Sequence, residues 1–189
     1  MILQISGPIS AQDFSTLANY KLRNTNGEWF SINDLNGAKG VILIFTCNHC
    51  PFAKLYTQRL NELHQNFSKL GVPILAINPM DTLVYDDERF ALMKTKSEQE
   101  GFLFPYLQDN LQLLARSFNA QHTPQAFVLW KVDDHWEIEY QGAIDDNGAE
   151  PEKAKSYIAD AVSALLSGKD VKLKKTDSFG CRIYYRSAN

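Results

Sequence analysis

The sequence has no run of about eighteen apolar residues, the length that crosses a bilayer. Its opening, Met1-Ile2-Leu3-Gln4-Ile5-Ser6, lacks the basic start and long apolar centre of a secretory signal. A membrane span and an exported precursor are set aside, and a cytoplasmic protein is the expectation. Charge of one sign is also scarce. The net charge is −3, and the nearest thing to a basic cluster, Lys172-Leu173-Lys174-Lys175, reads as a solvated tail stretch. Neither nucleic acid nor a membrane surface is therefore expected as a partner, since both call for a broad basic field. Cysteine is rarer still: Cys47, Cys50 and Cys181 are too few and too unevenly placed for a disulfide framework.

What the chain does have is enough apolar material, 44% hydrophobic and 12% aromatic over 189 residues, to bury one good core. One domain over residues 1–168 is expected, followed by a tail over 169–189. The most informative stretch is Cys47-Asn48-His49-Cys50-Pro51, placed between the apolar run Val41 to Phe45 and a helical pattern. A thiol in the first turn of a helix faces unpaired N–H groups and the positive end of the helix dipole, both of which favour thiolate. Two thiols at that spacing and junction read as a redox pair.

Val41 to Phe45 is apolar on both faces, as in a central strand covered on both sides. Phe52, Leu55, Tyr56, Leu60, Leu63, Phe67 and Leu70 then fall on one helical stripe, with Pro51 suited to its first turn. Val72 to Ile77 is a second buried strand, closing a right-handed parallel unit. A short hairpin is expected around Asn26-Gly27, and a second from Gln125 to Lys131 and Trp136 to Gln141. Helices are expected at about Asp87 to Glu100, at Leu111 to Phe118 and at Pro151 to Leu166.

This order, with Phe45-Thr46-Cys47-Asn48-His49-Cys50-Pro51, Phe104-Pro105-Tyr106-Leu107-Gln108-Asp109, Thr123-Pro124 and Gln141-Gly142-Ala143-Ile144-Asp145-Asp146, resembles the thioredoxin-like redoxin family, from Phe14 to Gly168. A closing Phe179-Gly180-Cys181 adds to the likeness. The resemblance implies an α/β thioredoxin fold: a central mixed sheet flanked by helices, an N-terminal hairpin extension and a C-terminal tail. It implies Cys47 as a solvent-facing nucleophile, Cys50 as a buried resolving thiol, and Thr123-Pro124 as a cis-proline loop that binds substrate. The activity implied is thiol-disulfide exchange with a protein or small-molecule disulfide and an unidentified electron donor, without organic cofactor or metal.

Three departures stand out. Thr46 occupies the place of a thioredoxin's tryptophan, the strand before it carries no buried aspartate to take a proton from Cys50, and Cys181 is an additional thiol open to a third redox role. His49 and Thr46 are candidates for tuning the pair. A protonated His49 would favour thiolate and make the potential less negative than thioredoxin's, with each pKa unit worth roughly 30 mV. Two other readings stay open. Thr46 and Cys50-Pro51 form a peroxidase-like pattern one residue too long, with Arg116 as a possible aid to the thiolate. Cys47, Cys50, His49 and Cys181 are also soft ligands of the type zinc and cuprous copper prefer. His122 is open between a loop and a site role, His64 and His135 read as surface or strand-end residues, and Asp109 as a helix cap.

Overall fold

The computed structural model describes residues 20–133 and 135–187; the start of the family likeness and Asp134 in the second hairpin turn lie outside them. The strands are β1 (Leu22–Asn24), β2 (Trp29–Phe30), β3 (Gly40–Phe45), β4 (Ile74–Asn78), β5 (Tyr106–Gln108), β6 (His122–Thr123), β7 (Gln125–Val132), β8 (His135–Gly142) and β9 (Cys181–Arg182). The α-helices are α1 (Pro51–Lys54), α2 (Thr57–Phe67), α3 (Phe90–Gln99), α4 (Leu113–Ser117) and α5 (Tyr157–Leu166).

One sheet runs in the order β2-β1-β5-β4-β3-β7-β8, and β6 and β9 form a separate two-stranded pair. β3 is parallel to β4, as Ile42 opposite Ile74 and Phe45 opposite Ile77 show, and antiparallel to β7. Alternate residues of a strand face opposite sides, so Val41, Leu43 and Phe45 join one core while Ile42 and Ile44 join the other. The first core also holds Leu114, Phe118, Ile183 and both active-pair cysteines; the second holds Leu60, Leu63, Met93, Ile158 and Val162. Each such buried side chain contributes about 1.5–3 kcal/mol, so β3, buried throughout, fixes the centre of the molecule.

Two helical readings are corrected. The pattern beginning at Phe52 breaks between α1 and α2, because Tyr56 is buried with its hydroxyl bound to Asp145 Oδ1 at 2.8 Å; Phe52 and Leu55 are left exposed. The pattern beginning at Pro151 is a 3-10 turn over Pro151–Lys153, and the α-helix proper starts after Ser156, whose Oγ accepts from Ala159 N at 3.3 Å. The tail does not trail away. Gln141 N donates to Lys174 O at 3.0 Å, and β9 pairs antiparallel with β6.

Candidate active site

β3 and β4 are parallel, so their carboxyl ends lie at the same edge of the sheet, the edge where α/β proteins gather functional groups. Cys47 stands just past the end of β3, and α1 starts from Cys50 with Pro51 in its first turn. Both cysteines are fully buried, so Cys47 does not face solvent as the resemblance implied. The Thr123–Pro124 bond is cis, and Thr123 holds both thiols: its hydroxyl lies 3.0 Å from Cys47 Sγ and its carbonyl accepts from Cys50 Sγ at 3.1 Å. Thr46 is buried beside them, its N–H given to Ile77 O at 2.8 Å.

The two residues between the cysteines are clamped from the other side by Glu88, which is fully buried. Its carboxylate accepts from Asn48 N at 3.0 and 2.9 Å and from His49 N at 2.9 Å, while Asn78 Nδ2 donates to it at 2.6 Å. His49 Nδ1 lies 2.6 Å from the same carboxylate, and the imidazole stacks on Tyr85 at 4.4 Å. His49 Nδ1 thus faces Glu88 rather than a sulfur. The Asn48 side chain completes the clamp: its Nδ2 donates to Asp87 O at 2.7 Å and its Oδ1 accepts from Tyr106 OH at 2.9 Å. Lys96, half-buried, donates to Cys47 O at 3.1 Å.

These contacts separate the two thiols. Cys47 is held well above the ordinary thiol range by hydrogen bonding with Cys50, by burial and by the Glu88 charge. Cys50 is held low, first by the hydrogen bond from the Cys47 thiol, then by the Cys181 thiol and by the N–H groups of Ala53 and Cys181, which together overcome its burial. These contacts favour ionisation of Cys50 over Cys47, although as a thiol Cys50 donates to Thr123 O. The backbone N–H groups of Asn48 and His49 are spent on Glu88, while α1 and the tail aim theirs at Cys50.

Nothing in the sequence distinguishes Glu88 from its acidic neighbours Asp86 and Asp87; its position follows from β4 lying next to β3 in parallel. Lys96 likewise sits on a helix with little amphipathic pattern. Arg116 does not reach a thiolate: its guanidinium lies 4.6 Å from the Tyr185 ring and hydrogen-bonds Arg186 O. His122 Nδ1 lies 2.9 Å from Ser178 Oγ in the tail, and His64, half-buried, accepts from Ile74 N at 3.3 Å. Asp145 is occupied by Arg59 and Tyr56. Ligand atoms of Cys47, His49 and Glu88 lie within 4.8 Å of one another, a set chemically suited to zinc. The carboxylate is already surrounded by donors, however, so a cation there would meet N–H groups where it needs lone pairs.

A mixed sheet with a Cys-x-x-Cys pair at a helix start and a cis-proline beside it defines a thioredoxin-fold dithiol protein. The AhpC/TSA family profile matches residues 11–144, and the chain belongs to that family. Among curated relatives, the thiol-disulfide oxidoreductase ResA of Geobacillus kaustophilus is 29% identical over 117 residues, 62% of this chain and 63% of that protein. ResA of Bacillus subtilis is 26% identical over 125 residues, 66% and 65%. The chain thus matches less than two thirds of the length of these relatives. A solved structure of an uncharacterized conserved protein from Geobacillus kaustophilus superposes with a TM-score of 0.82 at 29% identity, covering 90% of each chain. A hypothetical protein from Sinorhizobium meliloti gives 0.79 at 27%, covering 91% and 93%. A secreted disulfide oxidoreductase of Mycobacterium tuberculosis shares the fold at 17% identity, with a TM-score of 0.53 over 81% and 98% of the two chains. Among the described residues no helix is long and apolar enough to cross a membrane.

Proposed function

We propose that this chain is a thiol-disulfide oxidoreductase working through Cys47 and Cys50 on a protein or small-molecule disulfide. The observation that carries the reading is the grip of Thr123 on both thiols, carbonyl to Cys50 and hydroxyl to Cys47, at the start of α1. Cys50 loses the proton it donates to Thr123 O, and its thiolate attacks the substrate disulfide; one substrate sulfur leaves as a thiolate and takes up a proton. Cys47 then loses its proton and attacks the Cys50 sulfur of the mixed disulfide. The second substrate sulfur is expelled, and a Cys47–Cys50 disulfide remains. Two electrons pass to the substrate, and a dithiol donor returns them. The ResA relatives carry the same named activity, which supports the reading.

Glu88 takes the place of the buried carboxylate that the strand before Cys47 lacks, on the Cys47 side of the pair. The test is reduction of a glutathionylated peptide by the reduced protein. Wild type is expected to release glutathione and Cys50→Ser to release none. Peroxide consumption with the peptide left untouched would overturn the reading in favour of a thiol peroxidase.

A further inference from the structure

The tail is laid along the strand that a substrate would need. β9 pairs with β6 so that Cys181 stands opposite Thr123, the residue whose carbonyl and hydroxyl hold the thiols, and Ile183 N donates to Gln121 O at 2.8 Å. An extended peptide added to an open strand edge gains affinity from such main-chain bonds, and here the chain supplies that peptide itself. The approach is close enough to demand glycine at 180: a side chain there would start 2.2 Å from Thr123 O, on a backbone with φ +147°. Phe179 meets the rings of Phe52 and Tyr56 at 6.2 and 6.5 Å, and Ile183 is buried in the same core as Cys47 and Cys50. Farther on, Tyr185 OH donates to Ala120 O at 2.6 Å, and Arg186 N to Gln112 Oε1 at 2.8 Å.

The pairing sets Cys181 opposite Thr123, the residue that contacts both Cys47 and Cys50, and packs it against the core that holds the pair. We propose that Cys181 is a third redox thiol, which resolves a mixed disulfide on Cys50 and so fastens the tail over the Thr123–Pro124 loop. The proposal rests on the exchange reading above. The tail lifts to admit a substrate disulfide, Cys50 attacks, and a substrate thiolate departs. The tail returns, Cys181 attacks Cys50, and the remaining substrate sulfur leaves as a thiolate that takes up the proton Cys181 gives up. One S–S bond has been broken in the substrate and one formed between Cys50 and Cys181; two electrons have passed to the substrate and Cys47 remains a thiol. The Cys50–Cys181 form holds the substrate strand shut until a dithiol reduces it.

The test uses the full chain carrying Cys47→Ser, reduced, mixed with oxidised glutathione, quenched in acid and mapped by peptide mass spectrometry. The expected product is a Cys50–Cys181 disulfide with no glutathione retained, whereas Cys47→Ser with Cys181→Ser keeps glutathione on Cys50. A Cys47→Ser protein that keeps glutathione on Cys50 beside a free Cys181 overturns the inference and leaves the exchange reading standing. A double variant that takes up no glutathione overturns both. Gly180→Val in the Cys47→Ser background separates strand pairing from mere proximity. Its folding is checked by circular dichroism, and it is expected to retain glutathione on Cys50. Efficient Cys50–Cys181 formation there would overturn the claim that the β6–β9 pairing delivers the thiol.

Discussion

Cys50 is held below the ordinary thiol range by hydrogen bonding from its neighbours, Cys47 first. Its attack on a small disulfide is expected to be nearly flat from about pH 6 to pH 8, whereas an ordinary thiol of pKa about 8.5 gains close to tenfold per unit there. Stopped-flow rates across that range check this; a slope of one would return Cys50 to the ordinary class. Glu88→Gln removes a charge that helps hold Cys47 up, so alkylation of the peptide containing Cys47 is expected to be faster at a fixed neutral pH; an unchanged rate would contradict that role. The same substitution weakens a carboxylate that serves the Asn48 and His49 N–H groups, costing about 1–3 kcal/mol of stability in denaturant titration. At this scale the sequence is informative where chemistry is local. Cys47, Cys50, Thr123 and Pro124 are visible as motif residues, while Glu88 and Lys96 become visible only when strand order brings their segments beside the pair.

Helix α4 illustrates what an element can conceal. Asp109 caps it, accepting from Leu113 N at 3.0 Å and Ala115 N at 2.9 Å, as the sequence expects. Burial nevertheless pushes the carboxyl up to about 6, against the lowering effect of those same N–H groups. A raised carboxyl binds more protons folded than unfolded, so its contribution is full below about pH 4 and is lost as pH rises through about 6. The amount is about 3 kcal/mol at roughly 1.4 kcal/mol per unit. Denaturant titrations of wild type and Asp109→Asn are expected to show a wild-type advantage that is larger at pH 4 than at pH 7; an equal difference at both would contradict the shift. Between α2 and the loop after β8, Asp145 pairs with the buried guanidinium of Arg59 and accepts from Tyr56. Asp145→Ala strands that charge, and a loss of about 3–5 kcal/mol is expected in the same assay; a loss under about 1 kcal/mol would mean the guanidinium finds water. These long-range pairs also explain the helix errors. Periodicity shows which face is apolar, but the break at Tyr56 is set by a partner far along the chain, and the start at Ser156 by a cap and a bridge to Asp145.

Across the whole molecule, the parallel pairing of β3 with β4, the β7–β8 hairpin and the two-sided burial of β3 are legible from apolar runs and turn residues, whereas the rest of the fold is legible only through the family resemblance. The course of the tail is not legible, because its pairing with β6 rests on main-chain bonds and on Gly180, which leave no periodic trace. That course makes the centre a closed one, with both cysteines of the pair buried under a strand of the same chain. The most direct measurement of the central claim, exchange through a pair that includes a Cys50 thiolate, is the equilibrium redox state of each cysteine in graded glutathione buffers, read by peptide mass spectrometry. A reversible disulfide containing Cys50 is expected, with a potential less negative than the roughly −270 mV of thioredoxin, because a stabilised thiolate favours the reduced form. A protein in which Cys50 forms no disulfide at any buffer ratio would contradict the claim.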